Sequence, residues 1–329
     1  MTNAASGDEE LAARLNRLVK HRAPAAAAVI TPEETKVSLR GSGERSDFEI
    51  GSISKGITAL LYHDALERAE ITAETRLGDV LPLGECAASH ITLASLSTHH
   101  SGLSRLPESV HPVRGSIDLW RRGTNPYGHT LEELVVQARA SRVGPPRPLY
   151  SNFGFMLLGH AVASAAGSTY AELLRTRMVE PLGLRDTYVP ATVAEIRPDA
   201  VEGSSGKRPR QPWTGEALGP AGGIRASVSD MVRVSQAILD GSAPGVEALT
   251  PAMHFGPRVE IGAAWITIGA KGRSVTWHNG GTGGFRSWIG FDRRAKIGVV
   301  VLSANASSVD RAGFVLLAEA SKHARDVWA

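Results

Sequence analysis

The chain has 329 residues, 42% of them apolar, enough to bury a core in one large domain or two small ones. Thirty-six basic residues against 33 acidic ones leave a net charge of +3 with no stripe of Lys and Arg, which argues against a phosphate-backbone footprint and a nucleic-acid partner. The single cysteine, Cys86, excludes an intramolecular disulfide and a zinc site built on thiolates.

Residues 1–20 carry Asp8, Glu9 and Glu10 and no apolar core behind an early positive charge, so they do not form a signal peptide. The apolar run 23–30 is too short to span a bilayer, and no run reaches the roughly 18 residues required. The expectation is a soluble, cytoplasmic chain with no membrane partner; monomer and homodimer both fit. Leu11, Leu15, Leu18 and Val19 follow an acidic first turn at helical spacing and predict a helix over 8–20. Extended runs at 25–30 and 36–41 flank the turn Thr31-Pro32-Glu33-Glu34 and predict an antiparallel hairpin. From Ser52 the period becomes helical, with Ile53, Ile57, Leu60, Leu61 and Leu66 largely on one face.

Further helices are predicted over 131–139 and 155–166, and from Ser168 or Thr169 to Glu180, with a Pro-rich break at 144–148 and a surface loop at 203–212. Another runs from Ser227 or Ser229 to Leu239. Strands follow at 259–268, 274–278, 285–291 and 296–303, then a final helix over 309–324 whose stripe of Phe314, Leu317 and Ala318 is set to cover a sheet. Strands at both ends with helices between them describe an α+β fold: an antiparallel sheet flanked by helices, with an inserted all-helical subdomain. The expected division within this one unit is an α/β part at 1–70 and 215–329 and a helical part at 71–214. No repeat of solenoid period is present.

Three segments carry chemistry. Ser52 and Lys55 stand three apart at a helix start and share a face. A lysine whose pKa is lowered by burial can take a serine proton, and a helix N-terminus favours a developing oxyanion. The alternative is a capping serine beside a solvent-facing lysine. Tyr150-Ser151-Asn152 offers a tyrosine whose phenolate a nearby lysine would stabilise, and an amide able to hold a carbonyl and orient the lysine. Its alternative is a packed aromatic beside an N-cap asparagine. In Trp277-His278-Asn279-Gly280-Gly281-Thr282-Gly283-Gly284 the glycines remove side-chain bulk, so an edge strand ending there can approach a substrate and present N–H groups to it. The setting is not that of a nucleotide loop. His278 has no second ligand at metal spacing, and His99 and His100 are expected to support the fold or the edge of the site. No metal or cofactor is called for.

Ser52-x-x-Lys55, Tyr150-x-Asn152 and His278-x-Gly280, in this order, resemble the serine β-lactamase and penicillin-binding family. The nearer likeness is to its class C branch, with the D-stereospecific peptidases and the β-lactamase-like (family VIII type) esterases. Ile91-Thr92-Leu93 through Ser101-Gly102-Leu103, the run 150–159, Glu180-Pro181-Leu182-Gly183-Leu184, and Gly222-Gly223-Ile224 with Ser229-Asp230-Met231 extend the resemblance over about residues 10–320. It implies the β-lactamase/transpeptidase fold and an acyl-enzyme on Ser52, with Lys55 and Tyr150 moving the proton and His278 assisting by donating a hydrogen bond. It also implies an oxyanion hole from the N–H groups of Ser52 and Gly281. Asn152 would hold the acyl side chain, and Asn279 and Gly280 would line the substrate. The lactamases usually carry lysine where this chain has His278, which removes a fixed positive charge. The expected substrate is therefore a small carboxylic ester, amide or D-amino-acid peptide, with esterase or peptidase activity foremost. Class C-like β-lactamase action or acyl transfer is the alternative, and a silent binding relative the third choice.

Overall fold

The computed structural model describes residues 5–107, 124–270 and 273–326. Asp8 starts α1 (Glu9–Leu18) by accepting the Leu11 N–H at 2.8 Å, and the apolar stripe of that helix faces a sheet. The predicted hairpin is β2 (Ala25–Ile30) and β3 (Thr35–Arg40), with a short β1 (Ala5–Gly7) on its outer edge. The C-terminal strands are β8 (Met253–Gly256), β9 (Val259–Ile261), β10 (Ile266–Ala270), β11 (Arg273–Gly281), β12 (Arg286–Asp292) and β13 (Ile297–Ser303). Among the described residues these nine form one antiparallel sheet in the order β1-β3-β2-β13-β12-β11-β10-β9-β8, so the two ends of the chain meet where β13 pairs with β2.

Strand alternation sorts the core. Ala26, Ala28, Ile289 and Leu302 face the main core, to which α2 (Ile53–Glu67) belongs, while Ala25, Ala27, Trp288 and Val301 face α1 and the terminal helix α9 (Asp310–Asp326). Between α2 and the return to the sheet come α3 (Leu77–Val80), α4 (Leu93–Ser97), α5 (Leu131–Ala140), α6 (Asn152–Ala165) and α7 (Tyr170–Leu174). A strand β7 (Arg225–Ser227) and helix α8 (Val228–Asp240) then lead back. The architecture is α+β, an antiparallel sheet flanked by helices with a helical subdomain inserted. No helix among the described residues is long and apolar enough to cross a membrane.

Several elements differ from expectation. The run 259–268 is two strands, because the chain turns at Gly262–Trp265, with Ala264 at φ 59°, to bury Trp265. The helix expected to reach Glu180 is α only to Leu174 and continues as a π-helical turn, Arg175–Val179. The loop 203–212 contains a small hairpin, β5 (Ser204–Ser205) with β6 (Arg208–Pro209). On α9, Leu316 packs inward and Ala318 is exposed, so the covering stripe is Phe314, Leu316 and Leu317.

A second small sheet, β4 (Asp47–Glu49) with β7, has no periodic signal because each strand is three residues long. Charge holds it. Arg225, 1% exposed, donates from Nε to Asp47 at 3.1 Å and from Nη1 to Glu49 at 3.2 Å. Removing one partner of a buried ion pair strands the other. Arg225→Met should cost about 3 kcal/mol or more in a urea titration, because Asp47 and Glu49 are left buried and uncompensated. A cost below about 1 kcal/mol would show that the cluster does not hold the sheet.

Candidate active site

The first turn of α2 and the end of β11 meet because two glycines let the backbones close. Gly51 sits at φ +52°, and a Cβ there would stand 2.5 Å from the Gly281 nitrogen. A Cβ on Gly280 would stand 1.9 Å from the Ile50 carbonyl oxygen. The Ile50–Gly51 backbone and residues Gly280–Gly281 thus lie in close contact just before the N-terminus of α2, where negative charge is favoured. β11 is an interior strand, not the edge that was expected. Its register with β10 stops at Trp277, however, while pairing with β12 runs on to Gly281, so residues 278–281 offer a free edge on one side.

Ser52 occupies the N-cap position of α2 but makes no capping hydrogen bond, and Lys55 is 0% exposed, so the plain cap-and-surface alternative does not hold. Lys55 Nζ donates to Ser52 Oγ at 3.2 Å and to the Ala221 carbonyl. That carbonyl lies in a π-helical turn, Gly219–Gly223, fastened between two helices. Thr58 Oγ1 donates to the Pro220 carbonyl at 2.8 Å, Ser54 Oγ accepts the Ile224 N–H at 3.2 Å, and Gly159 of α6 leaves room for the Pro220 ring. Burial first, and the Arg105 guanidinium second, pull Lys55 well below the ordinary lysine range.

Tyr150 stands beside this pair, its ring centre 5.0 Å from Lys55 Nζ. Burial pushes its pKa up, with the Ser52 hydroxyl opposing more weakly. The expected lowering by a neighbouring cation is overturned: the same burial that pulls the lysine down pushes the tyrosine up, and the phenol form of Tyr150 is favoured. Beneath it lies His99, ring centres 4.5 Å apart, its Nδ1 accepting the Ser151 N–H at 3.1 Å and its backbone at φ 59°. The helix cap is Ser151, which accepts the Gly154 N–H, and not Asn152.

His278 is 1% exposed, with its ring centre 6.4 Å from that of Tyr150. Nδ1 meets the Asn279 carbonyl at 2.6 Å, so Nδ1 carries the proton and Nε2 is an acceptor, buried with no partner among the described residues. Burial, then Lys55, lower its pKa to about 4. The expectation that it donates toward Tyr150 or substrate is therefore reversed. Asn152 is redirected as well. Its Nδ2 donates to the Tyr127 hydroxyl at 3.2 Å, and no hydrogen bond joins it to Lys55. Asn279 Nδ2 closes on both Asp310 oxygens at 3.1 Å, and Gly280 lies against the Ile50 carbonyl. Sequence reasoning missed Ala221, Tyr127 and Arg105. Only the Gly222-Gly223 pair hinted at the turn bearing Ala221. Among the described residues no group of three His, Cys, Asp or Glu side chains is arranged to hold a metal.

The chain belongs to the beta-lactamase family, whose model matches residues 10–321. It is 26% identical over 298 residues to penicillin-binding protein 4 of Amycolatopsis lactamdurans, covering 83% of this chain and 72% of that protein. With the D-alanyl-D-alanine-carboxypeptidase/endopeptidase AmpH of Escherichia coli K12 it shares 25% over 278 residues, 77% and 69% of the two chains. In fold it is similar to a class C beta-lactamase solved in complex with cefoxitin, at a TM-score of 0.79 and 18% identity over 95% of this chain and 99% of that one. Membership supports serine hydrolysis through an acyl-enzyme.

The histidine geometry has a direct check. In nitrogen NMR, His278 should hold one neutral tautomer, protonated at Nδ1, and begin to charge only as pH falls toward its value of about 4. The unfolded chain binds that proton near 6.5, so this residue contributes stability above 6.5 that is lost as pH falls from there toward about 4. An imidazole titrating near 6.5 would contradict the assignment.

Proposed function

We propose, with that family membership as premise, that the chain opens amide bonds through an acyl-enzyme on Ser52. The substrate class is that carried by its relatives' names: a β-lactam ring or a D-alanyl peptide bond. One observation carries this reading, the fully buried Lys55 amine 3.2 Å from Ser52 Oγ with no carboxylate beside it among the described residues. An uncharged lysine takes the Ser52 proton as Oγ bonds to the carbonyl carbon. The oxygen takes up negative charge between the Ser52 and Gly281 amides, and Tyr150 supplies a proton to the leaving nitrogen. Water then repeats the sequence and frees the acid; an amine or alcohol in its place gives acyl transfer.

Ester hydrolysis is the second reading, favoured by His278. A neutral imidazole stands where a lysine would meet a substrate carboxylate, and an ester needs no such contact. Intact mass after incubation with benzylpenicillin, a chromogenic cephalosporin and nitrophenyl butyrate, followed by peptide mapping, separates the two. A β-lactam adduct on Ser52, or β-lactam turnover, supports the amide reading. Ser52 labelled by the ester alone moves the assignment to esterase, and an adduct on another serine overturns both.

Two variants probe the proton path. Tyr150→Phe should slow acylation about 10²- to 10⁴-fold while leaving the fold intact by circular dichroism. Lys55→Met should abolish acylation yet raise stability by about 1 kcal/mol, since it removes a desolvated amine. The parent acylation rate should rise with pH to a plateau, because only the uncharged lysine accepts a proton. A rate that falls as pH rises from 6 to 8 would exclude Lys55 as the base.

A further inference from the structure

Two arginines flank the cleft, and their surroundings differ. Arg286 lies beside Gly281, with Nη1 donating to the carbonyls of Thr282 and Phe285 at 2.9 Å each. Asp310 is the charge acting on it, and the Asn279 amide closes on that same carboxylate. At this end of the cleft a positive and a negative charge offset one another.

Arg105 has no such counterweight. Its backbone is pinned to the start of α6, where its carbonyl accepts the N–H of Asn152 at 3.0 Å and of Phe153 at 3.3 Å. Its guanidinium carbon stands 5.7 Å from the centre of the Tyr150 ring, the residue is exposed, and among the described residues no carboxylate pairs with it. Contact with an aromatic face holds the guanidinium while its rim of N–H donors stays open. Next to it the Asn152 Oδ1 is buried with no partner among the described residues, beside the Tyr127 hydroxyl. Among the described residues, then, a cation without a carboxylate partner stands beside Tyr150 and the start of α6, on the Asn152 side.

We infer that Arg105 anchors an anionic group on the acyl portion of the substrate, so that this site selects acyl donors bearing a carboxylate. The inference rests on the Ser52 acyl-enzyme reading with the acyl side chain toward Asn152. A guanidinium fork matches a carboxylate in two parallel hydrogen bonds, and a backbone-anchored arginine loses less freedom on forming them. His278 supplies no fixed charge at the opposite end. The positive charge available to the substrate has moved from the leaving-group side to the acyl side.

The test uses pairs of acyl donors that differ chiefly in one acyl-side carboxylate. Mono-nitrophenyl glutarate is compared with its methyl ester, and carbenicillin with benzylpenicillin. The readout is the ratio of acidic to neutral kcat/KM within whichever pair is turned over, for the parent, Arg105→Gln and Arg105→Lys. The parent should favour the acidic member by roughly 10- to 100-fold, less at high salt. Arg105→Gln should bring the ratio close to one, and Arg105→Lys should restore part of it. A parent ratio of one or below, or a ratio that survives in Arg105→Gln, overturns the inference while leaving the Ser52 reading in place. No Ser52 adduct from any of the four donors overturns both together.

Discussion

The organisation of the centre depends on a lysine amine held away from water with few partners, which favours its uncharged form. An ammonium has three donors, and Lys55 finds a hydroxyl and one backbone carbonyl. Among the described residues no carboxylate pairs with it, so burial is opposed there by no opposite charge and the uncharged amine is favoured. Such a group destabilises the fold and persists only where its surroundings fix it firmly. Here the surroundings are a π-helical turn pinned by Thr58, Ser54 and the gap at Gly159, so that the Ala221 carbonyl cannot swing away. Tyr170 extends the brace, its hydroxyl 2.6 Å from Thr58 Oγ1. The helical insert thus reaches the catalytic turn through one hydrogen-bonded chain.

Acidic groups near the cleft are taken up elsewhere. Asp47 and Glu49 lie just before Ser52 in sequence, yet both point to Arg225. Asp310 is closed off by Asn279. A free carboxylate near Lys55 would return its proton and remove the base, since an opposite charge a few ångströms away favours the charged form. The small β4–β7 sheet therefore does two things. It carries the chain into the Gly51–Ser52 turn, and it ties the two acids that precede that turn to Arg225.

Periodicity made much of the fold legible. The β2–β3 hairpin, α2, α6, α8 and β12–β13 all announce themselves by a repeat of two or 3.6 over enough residues to count. Three-residue strands such as β4 and β7 carry too little pattern, and what pairs them is a charge 178 positions away in sequence. The site divides in the same way. Ser52 and Lys55 are legible because one helical turn joins them. The Ala221 carbonyl is not, since a backbone acceptor leaves no mark on residue type and lies 166 positions away. Arg105 looks like any surface arginine until the fold sets it over Tyr150. The burial that lowers Lys55 also raises Tyr150, and only the fold reveals that the two shifts oppose each other.

Those opposed shifts give the proposed cycle its direction. A phenol held above its ordinary pKa keeps its proton at rest and gives it up less readily, while an amine held below its ordinary pKa is the better acceptor at rest. Once Lys55 has taken the Ser52 proton it is a buried cation, and the ring of Tyr150, 5.0 Å away, feels it for the first time. At that moment a phenolate becomes tolerable, so Tyr150 can release its proton to the leaving group and recover one from the lysine. The unpartnered Nε2 of His278 accepts and does not donate, so it adds no competing proton on that side. A fixed lysine charge at position 278 would oppose charging of Lys55 through the same low-dielectric interior. On this cycle the neutral imidazole belongs to the same electrostatic design as the buried amine, and Arg105, with no carboxylate partner among the described residues, adds to it from an exposed position, where solvent weakens its hold on Lys55 and leaves its donors open to substrate.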